Sequence, residues 1–141
     1  MPPTDLGRFL AAQAPAVLAA VEAELRAGRK RTHWMWFIFP QLRALGRSET
    51  ARFYGLADVA EAREFWAHPV LGPRLAHHAG LVLAAPGADA TAIMGTPDDL
   101  KLRSCATLFA LAAPGEAVFP AILARFFGGA GDPLTLSGAS R

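Results

Sequence analysis

The stretch around which this chain is organised reads KRTHWMWFIFPQ, at residues 30–41. It contains two of the three tryptophans and one of the four histidines, and it runs from basic residues to a proline and a glutamine. Aromatic residues crowded in this way usually form core, so we expect Trp34, Phe37 and Ile38 to make a buried helical turn. His33 and Trp36 carry polar ring nitrogens, which need partners once they are buried. An aromatic wall with a few polar groups is also typical of small-molecule pockets.

The composition limits the class of protein. The 141 residues are 52% hydrophobic and 18% charged, which is enough apolar material for a sizeable core and argues against a disordered chain. Fourteen basic residues are balanced by twelve acidic ones, and the formal net charge of +2 is too small to indicate nucleic acid.

The spacing of helix-breaking residues predicts an all-α fold. Gly, Pro, Asp and Ser divide the chain into segments of about 8–16 residues, and no segment alternates apolar and polar residues as a strand does. Pro15–Ala27 is a clear helix with Gly28 as its stop, and TPDD at 96–99 starts another, with its proline as the first helical residue. We expect a compact single-domain bundle of about seven to nine short helices over residues 1–141, with an ordered core at about 5–128 and a loose C-terminal tail.

The helix that follows TPDD carries a second group of chemically active side chains. Helical spacing places Asp98, Lys101 and Cys105 on one face. The same spacing predicts a surface ion pair between Asp99 and Arg103. Lys101 lies among apolar residues near a helix start, so it is our candidate for holding a phosphate or carboxylate group. The apolar context of Cys105 indicates packed interior rather than a nucleophile.

Several kinds of site are excluded by the residue pattern. A single cysteine permits neither an intramolecular disulfide nor a cysteine-based metal cluster. The histidines, at positions 33, 68, 77 and 78, have no metal-ligand spacing, and Ser104 lacks the Gly-x-Ser-x-Gly elbow of hydrolases, so we expect no metal and no cofactor. The N-terminus has no signal-peptide pattern and the apolar runs are far shorter than the roughly 20 residues of a membrane span, so we expect a cytoplasmic protein without membrane contact.

The basic cluster Arg26, Arg29, Lys30 and Arg31 is the best argument for nucleic acid, because aromatic residues follow it directly. However, the rest of the chain has no basic stripe and no nucleic-acid-binding motif, and a helix C-terminus favours basic residues by itself. We therefore disfavour nucleic acid as a partner.

Four motifs resemble a known family. They are GRKRTHWMWFIFPQ (28–41), GRS (46–48), HPVLGPRL (68–75) and PDDLKLRS (97–104). In this order they are similar to the signature of the domain of unknown function 1810 family, bacterial proteins of which some are labelled calpastatin. The resemblance implies a compact all-helical single domain and no particular activity. Cys105 stands where the family pattern often has a second serine, which argues further against a cysteine nucleophile.

The three long motifs carry more polar residues than helix packing requires. We infer that six of them converge on one cleft between the 30–41 and 97–105 segments and bind a small nucleotide-like or anionic ligand. The six are His33, Trp36, Gln41, His68, Lys101 and Ser104. Trp36 would stack on a flat ring, Lys101 would hold the anion, and His33 is a weak candidate for acid–base catalysis. For His68, which precedes Pro69, a helix-start corner is the alternative. For the whole protein the alternative is a non-catalytic protein-interaction module, and the sequence leaves open whether it is an enzyme.

Overall fold

The structure, a computed structural model, describes residues 5–139, so residues 1–4 and 140–141 of the predicted domain lie outside the described part. The all-α prediction is confirmed, because these residues form helices and turns with no strand among them. They include one 3-10 turn, at Arg43–Leu45, and ten α-helices, slightly more than the number expected. The α-helices are α1 (Gly7–Ala12), α2 (Pro15–Ala27), α3 (Met35–Ile38), α4 (Glu49–Tyr54), α5 (Val59–Ala67), α6 (Leu71–Ala84), α7 (Ala90–Met94), α8 (Asp98–Ala112), α9 (Val118–Phe126) and α10 (Pro133–Ala139).

Helix α8 forms the centre of the molecule. It begins at Asp98, one residue later than the TPDD pattern predicts, after a cis peptide bond between Thr96 and Pro97. Most of its residues are buried, including Cys105 and Phe109. A helix buried on nearly all sides needs neighbours all round, and α8 packs against α5, α7, α9 and α10.

The aromatic stretch is part of the core, as predicted. Trp34, Phe37 and Ile38 are all buried, around the short helix α3. Before this stretch, α2 packs on α6 and ends at Gly28, whose φ of 73° suits glycine. A side chain at position 28 would also collide with Pro86, since a Cβ there would lie 1.9 Å from the Pro86 carbonyl oxygen.

A parallel bridge between Leu42 and Leu56 ties the segment after α3 to the end of α4. The Arg43 N–H donates to the Leu56 carbonyl at 2.7 Å, and the Leu56 N–H donates to the Gln41 carbonyl at 2.9 Å. Gly55 permits this approach, because a Cβ at that position would lie only 2.3 Å from Arg43 Cα. Residues 41–43 are therefore held firmly beside α4.

The predicted surface ion pair between Asp99 and Arg103 is wrong. Asp99 is buried, and its carboxylate accepts hydrogen bonds from the hydroxyls of Thr91 (2.6 Å) and Thr96 (3.2 Å). Arg103 instead donates through Nε to the Ala130 carbonyl at 3.1 Å. The hydroxyls of Thr91 and Thr96 satisfy the Asp99 carboxylate. The Arg103 guanidinium therefore binds the backbone that follows α9 instead.

The C-terminal segment, expected to be loose from Leu134 onward, is helical as far as residue 139. Asp132 stabilises the first turn of α10, because its carboxylate accepts from the backbone N–H of Thr135 at 3.0 Å and from the hydroxyl at 2.6 Å. Thr135 is fully buried against the rest of the molecule. Helix α10 depends on this polar cap and has little apolar periodicity, so the sequence pattern did not predict it.

A buried ion pair joins α1 to α5. Arg8 and Glu61 approach within 3.3 Å, and their side chains are only 3% and 9% exposed. Arg8 also donates to the carbonyls of Phe53 and Gly55. Because the two residues are far apart in sequence, no local pattern predicts the pair. Separately, no helix within residues 5–139 combines the length and apolar character needed to cross a membrane.

Candidate functional site

The two segments that carry the polar motifs meet at the start of α8. Lys101 Nζ lies over the ring of Trp36, 5.2 Å from its centroid, and Lys30 Nζ lies 4.8 Å from the ring centroid of Trp34. Asp98 stands between the two lysines, with carboxylate oxygens 2.9 Å from Lys30 Nζ and 3.6 Å from Lys101 Nζ. We call these five residues the lysine–tryptophan cluster. In this cluster both lysine ammonium groups lie near the Asp98 carboxylate, and each lies over the ring of one tryptophan.

Glu24 of α2 holds the loop that leads into this cluster. Its carboxylate accepts hydrogen bonds from the backbone N–H groups of Arg31 (2.6 Å) and Thr32 (2.9 Å), from the Thr32 hydroxyl (2.6 Å) and from Trp34 Nε1 (3.1 Å). Burial alone would raise the pKa of Glu24, but these hydrogen bonds outweigh it and lower the pKa to about 2. The charged form of Glu24 therefore fixes the loop and the Trp34 ring.

An open groove of about 800 Å³ runs beside the cluster. Three cations lie on its walls, Arg47, Lys101 and Arg103, against the single carboxylate of Asp132. The remaining lining residues are Gln41, Ala44, Leu45, Gly46, Ser48, Ala51, Pro97, Leu100, Ser104 and Leu134. The groove is thus a surface with a net positive charge and apolar patches.

A much smaller hollow, of about 10 Å³, adjoins the groove. Its lining residues are Met35, Trp36, Phe39, Gln41, Ala51, Tyr54, Gly55 and Lys101. Gln41, Ala51 and Lys101 line both spaces, so the hollow and the groove share a wall.

The six residues inferred from the sequence are placed in two groups. Trp36, Gln41, Lys101 and Ser104 line the hollow, the groove or both. The Ser104 hydroxyl is within hydrogen-bonding distance of the Leu100 carbonyl (3.1 Å) and the Asp132 carboxylate (3.3 Å).

The two histidines of this set line neither space. His33 is exposed. The ring of His68 caps α6, because its Nδ1 accepts from the backbone N–H groups of Val70 (3.1 Å) and Leu71 (3.2 Å). This is the helix-start corner that the His-Pro sequence suggests.

Sequence reasoning missed three charged residues of the groove. Arg47 and Arg103 lie within motifs of the family resemblance, so GRS and PDDLKLRS were signals that could have identified them. Asp132 follows the last motif and has no such signal. By contrast, Cys105 is buried as expected, and burial raises the pKa of its thiol, which leaves it unreactive.

Fold and site together define a small all-helical protein with an open, cation-lined groove. The chain belongs to the DUF1810 family, described as a protein of unknown function, whose signature matches residues 3–138. The crystal structure of the conserved hypothetical protein Rv1873 from Mycobacterium tuberculosis is similar over 99% of each chain, with 50% sequence identity and a TM-score of 0.93. No curated protein shows significant similarity to this chain.

Proposed function

We propose that this protein binds a small anionic ligand, nucleotide-like in combining negative charge with a flat or apolar part, in the open groove. Its lining comes mainly from residues between 41 and 51 and between 97 and 104, and includes only Gln41 of the 30–41 segment expected to form one wall. The observation that carries the proposal is the charge of the groove, with three cations against one carboxylate. Asp132 is moreover engaged by the Thr135 backbone N–H and hydroxyl, which disperses its charge.

The cations differ in how firmly they are held. Lys101 is fixed by Asp98 and by the Trp36 ring, yet its side chain is still 22% exposed. Arg103 is fixed by the carbonyls of Ala130 and Gly131. Arg47 is exposed and makes no hydrogen bond or ion pair within the described part of the chain. Two pre-positioned cations and one adaptable cation suit the capture of a phosphate or carboxylate.

The apolar part of the ligand would lie against leucines. Leu100 is 58% exposed and Leu134 is 65% exposed, and both line the groove. Exposed apolar side chains beside charged ones are typical of pockets that bind amphipathic small molecules. The proposal gives Trp36 the task of positioning Lys101, since the lysine already covers its ring. It assigns no reaction.

Thermal unfolding with a ligand panel tests the proposal. The panel consists of adenine nucleotides, ADP-ribose, sugar phosphates and inorganic phosphate. A ligand present at 100 times its Kd should raise Tm by about 5 °C or more for a chain of this size. The rise should disappear in Arg47→Glu and in Lys101→Met, which keeps an apolar side chain against Trp36.

Arg63→Glu is the matched control. Arg63 is an exposed cation of α5 that does not line the groove, so its reversal changes the net charge equally. A Tm rise that survives Arg47→Glu as well as Arg63→Glu would refute binding in the groove. So would the absence of a rise with every member of the panel.

The exposed leucines favour one second candidate, a non-catalytic protein-interaction module in which a partner covers Leu100 and Leu134. In that case the panel gives no Tm rise. A specific protein is then retained by the immobilised wild-type chain and lost with Leu134→Glu.

A further inference from the structure

Asp132 supplies the carboxylate on the wall of the groove, and the protein engages only one of its two oxygens. Oδ2 accepts hydrogen bonds from the Thr135 backbone N–H (3.0 Å) and hydroxyl (2.6 Å), and the Ser104 hydroxyl lies 3.3 Å from it. Oδ1 has no hydrogen-bond partner among residues 5–139, and it is not one of the unpaired polar atoms that solvent cannot reach. Oδ1 is therefore the oxygen that a molecule in the groove can contact.

The position of Asp132 is fixed by its backbone as well as by its side chain. Its N–H donates to the Thr107 hydroxyl at 2.8 Å, and that hydroxyl donates to the Arg103 carbonyl at 2.8 Å. Thr107 is buried in α8. A carboxylate that the fold already holds in place loses little conformational freedom on binding, so it suits recognition better than a mobile surface carboxylate does.

A cation is held next to this carboxylate without neutralising it. Arg103 donates through Nε to the Ala130 carbonyl at 3.1 Å and through Nη2 to the Gly131 carbonyl at 3.2 Å. These are the two residues that precede Asp132, yet Asp132 forms no ion pair within the described part of the chain. The groove is thus lined by a fixed cation and a fixed acceptor that do not satisfy each other.

This arrangement selects for a ligand that carries a hydrogen-bond donor as well as a negative charge. An ammonium group and a hydroxyl group can both donate to Oδ1. The groove already has three cations against one carboxylate, so a further positive charge is disfavoured and a neutral hydroxyl is favoured. An acidic side chain that accepts a sugar hydroxyl close to a bound phosphate is a common arrangement in nucleotide-binding proteins.

We propose that Asp132 selects a hydroxylated anion, such as a sugar phosphate or a ribonucleotide, because its Oδ1 accepts a hydrogen bond from a ligand hydroxyl while the groove cations hold the anionic group. The inference rests on the proposed function of the groove and deepens it by naming the class of ligand. Anions without a hydroxyl group have the charge but not the donor, and they are the poorer ligands.

Matched pairs of probes test the inference on the wild-type protein. Adenosine monophosphate is compared with its analogue that lacks both ribose hydroxyls, and glycerol phosphate is compared with propyl phosphate. In at least one pair the hydroxylated member should bind about tenfold more tightly in isothermal titration calorimetry, since a hydrogen bond to a charged group discriminates by about this factor. Equal affinity within both pairs, or no binding of either hydroxylated probe, overturns the inference.

Asp132→Asn separates recognition from a structural role. Asparagine keeps one oxygen for Thr135, but an amide group takes the place of the free oxygen. Affinity for the preferred hydroxylated probe should fall by about tenfold, whereas affinity for its partner without hydroxyls should stay the same or rise, because the groove becomes more positive. A purely structural role would weaken both members of the pair equally, and that result would refute the role of Asp132.

Asp89→Asn is the matched control. Asp89 caps α7 by accepting the Ala92 backbone N–H at 2.8 Å and does not line the groove, so its replacement should change neither affinity. If Asp132→Asn does not fold, the ¹³C signal of the Asp132 side-chain carboxyl in the wild type replaces it. That signal should move with the hydroxylated probe and stay in place with its partner, and equal movement or none overturns the inference.

The two proposals fail in distinguishable ways. If a panel ligand raises Tm in an Arg47-dependent manner but the hydroxyl groups make no difference to affinity, the groove stands and the role of Asp132 is refuted. If no panel ligand raises Tm and no probe of either pair binds, the proposed function is refuted and the inference with it.

Discussion

Replacing Glu24 by glutamine is expected to destabilise the protein at neutral pH and to have progressively less effect as the pH falls. The side chain accepts four hydrogen bonds, from Arg31, Thr32 and Trp34, and they favour the charged form. Glutamine keeps one acceptor oxygen and the shape of the side chain but removes the charge. The loop that carries Lys30 would therefore lose its anchor without a change in packing.

The magnitude follows from the pKa of Glu24. A fall from the ordinary value of 4.5 to about 2 corresponds to about 3 kcal/mol, at 1.36 kcal/mol for each pH unit. The carboxylate is partly open to solvent, and screening reduces the expected effect to about 1–2 kcal/mol. Because the folded-state pKa is depressed, this stability is present in full above pH 4.5 and is lost as the pH falls towards 2.

Urea unfolding of the wild type and of Glu24→Gln between pH 7 and pH 3 measures the effect. The difference in the free energy of unfolding should fall by more than half over this range. Glu64→Gln is the control, since Glu64 is an exposed carboxylate of α5 without a hydrogen bond or ion pair inside the described region. A difference that stays constant with pH, or grows as the pH falls, would refute the role assigned to Glu24.

Three further predictions concern packing and buried groups. Gly55→Ala should lower the free energy of unfolding by about 1–3 kcal/mol, because the added Cβ would lie 2.3 Å from Arg43 Cα. Gly80→Ala should raise the free energy of unfolding by about 0.5–1 kcal/mol, because a Cβ there meets open space. Thermal unfolding of both variants and the wild type measures the two effects. Arg8→Met should lower the free energy of unfolding in urea by up to about 3 kcal/mol, since it removes the nearer cation of the buried Glu61 but leaves Arg43 at 4.0 Å, and adding Glu61→Met should restore part of the loss. Cys105 should not react with a thiol reagent until the protein unfolds, so reaction under native conditions at the rate of an exposed thiol would contradict its burial.

The elements that could be predicted from sequence are those whose signals are local. The helix Pro15–Ala27 has exactly the predicted bounds, because proline at its start and Gly28 at its end act within one turn. The burial of Trp34 could also be predicted locally, because aromatic residues are crowded around it in the sequence. The C-terminal helix could not be found like this, because it depends on Asp132 as its cap and on contacts with α8, which is distant in sequence.

In the candidate site, too, contacts between residues close in sequence could be predicted and contacts between distant residues could not. Helical spacing placed Asp98 and Lys101 on one face, and in the structure their charged groups are 3.6 Å apart. It could not reveal that Lys30 is the closer partner of Asp98, at 2.9 Å, because the two are distant in sequence. In the sequence, Lys30 belongs to the basic cluster that was considered as a nucleic-acid contact, whereas in the structure its side chain is only 6% exposed.

The lysine–tryptophan cluster also bears on why charges lie at this place beside the groove. The side chains of Lys101 and Asp98 are 22% and 20% exposed, and an ion pair in such a partly exposed position contributes little net stability. Stability alone therefore gives no strong reason for Lys101 to lie beside Asp98 and against the Trp36 ring. Its position on the shared wall of the hollow and the groove gives a reason, because there a fixed ammonium group faces a space that an anion can enter. The small stability gained from the charges and the shape of the cavities thus both support the proposed binding of an anion.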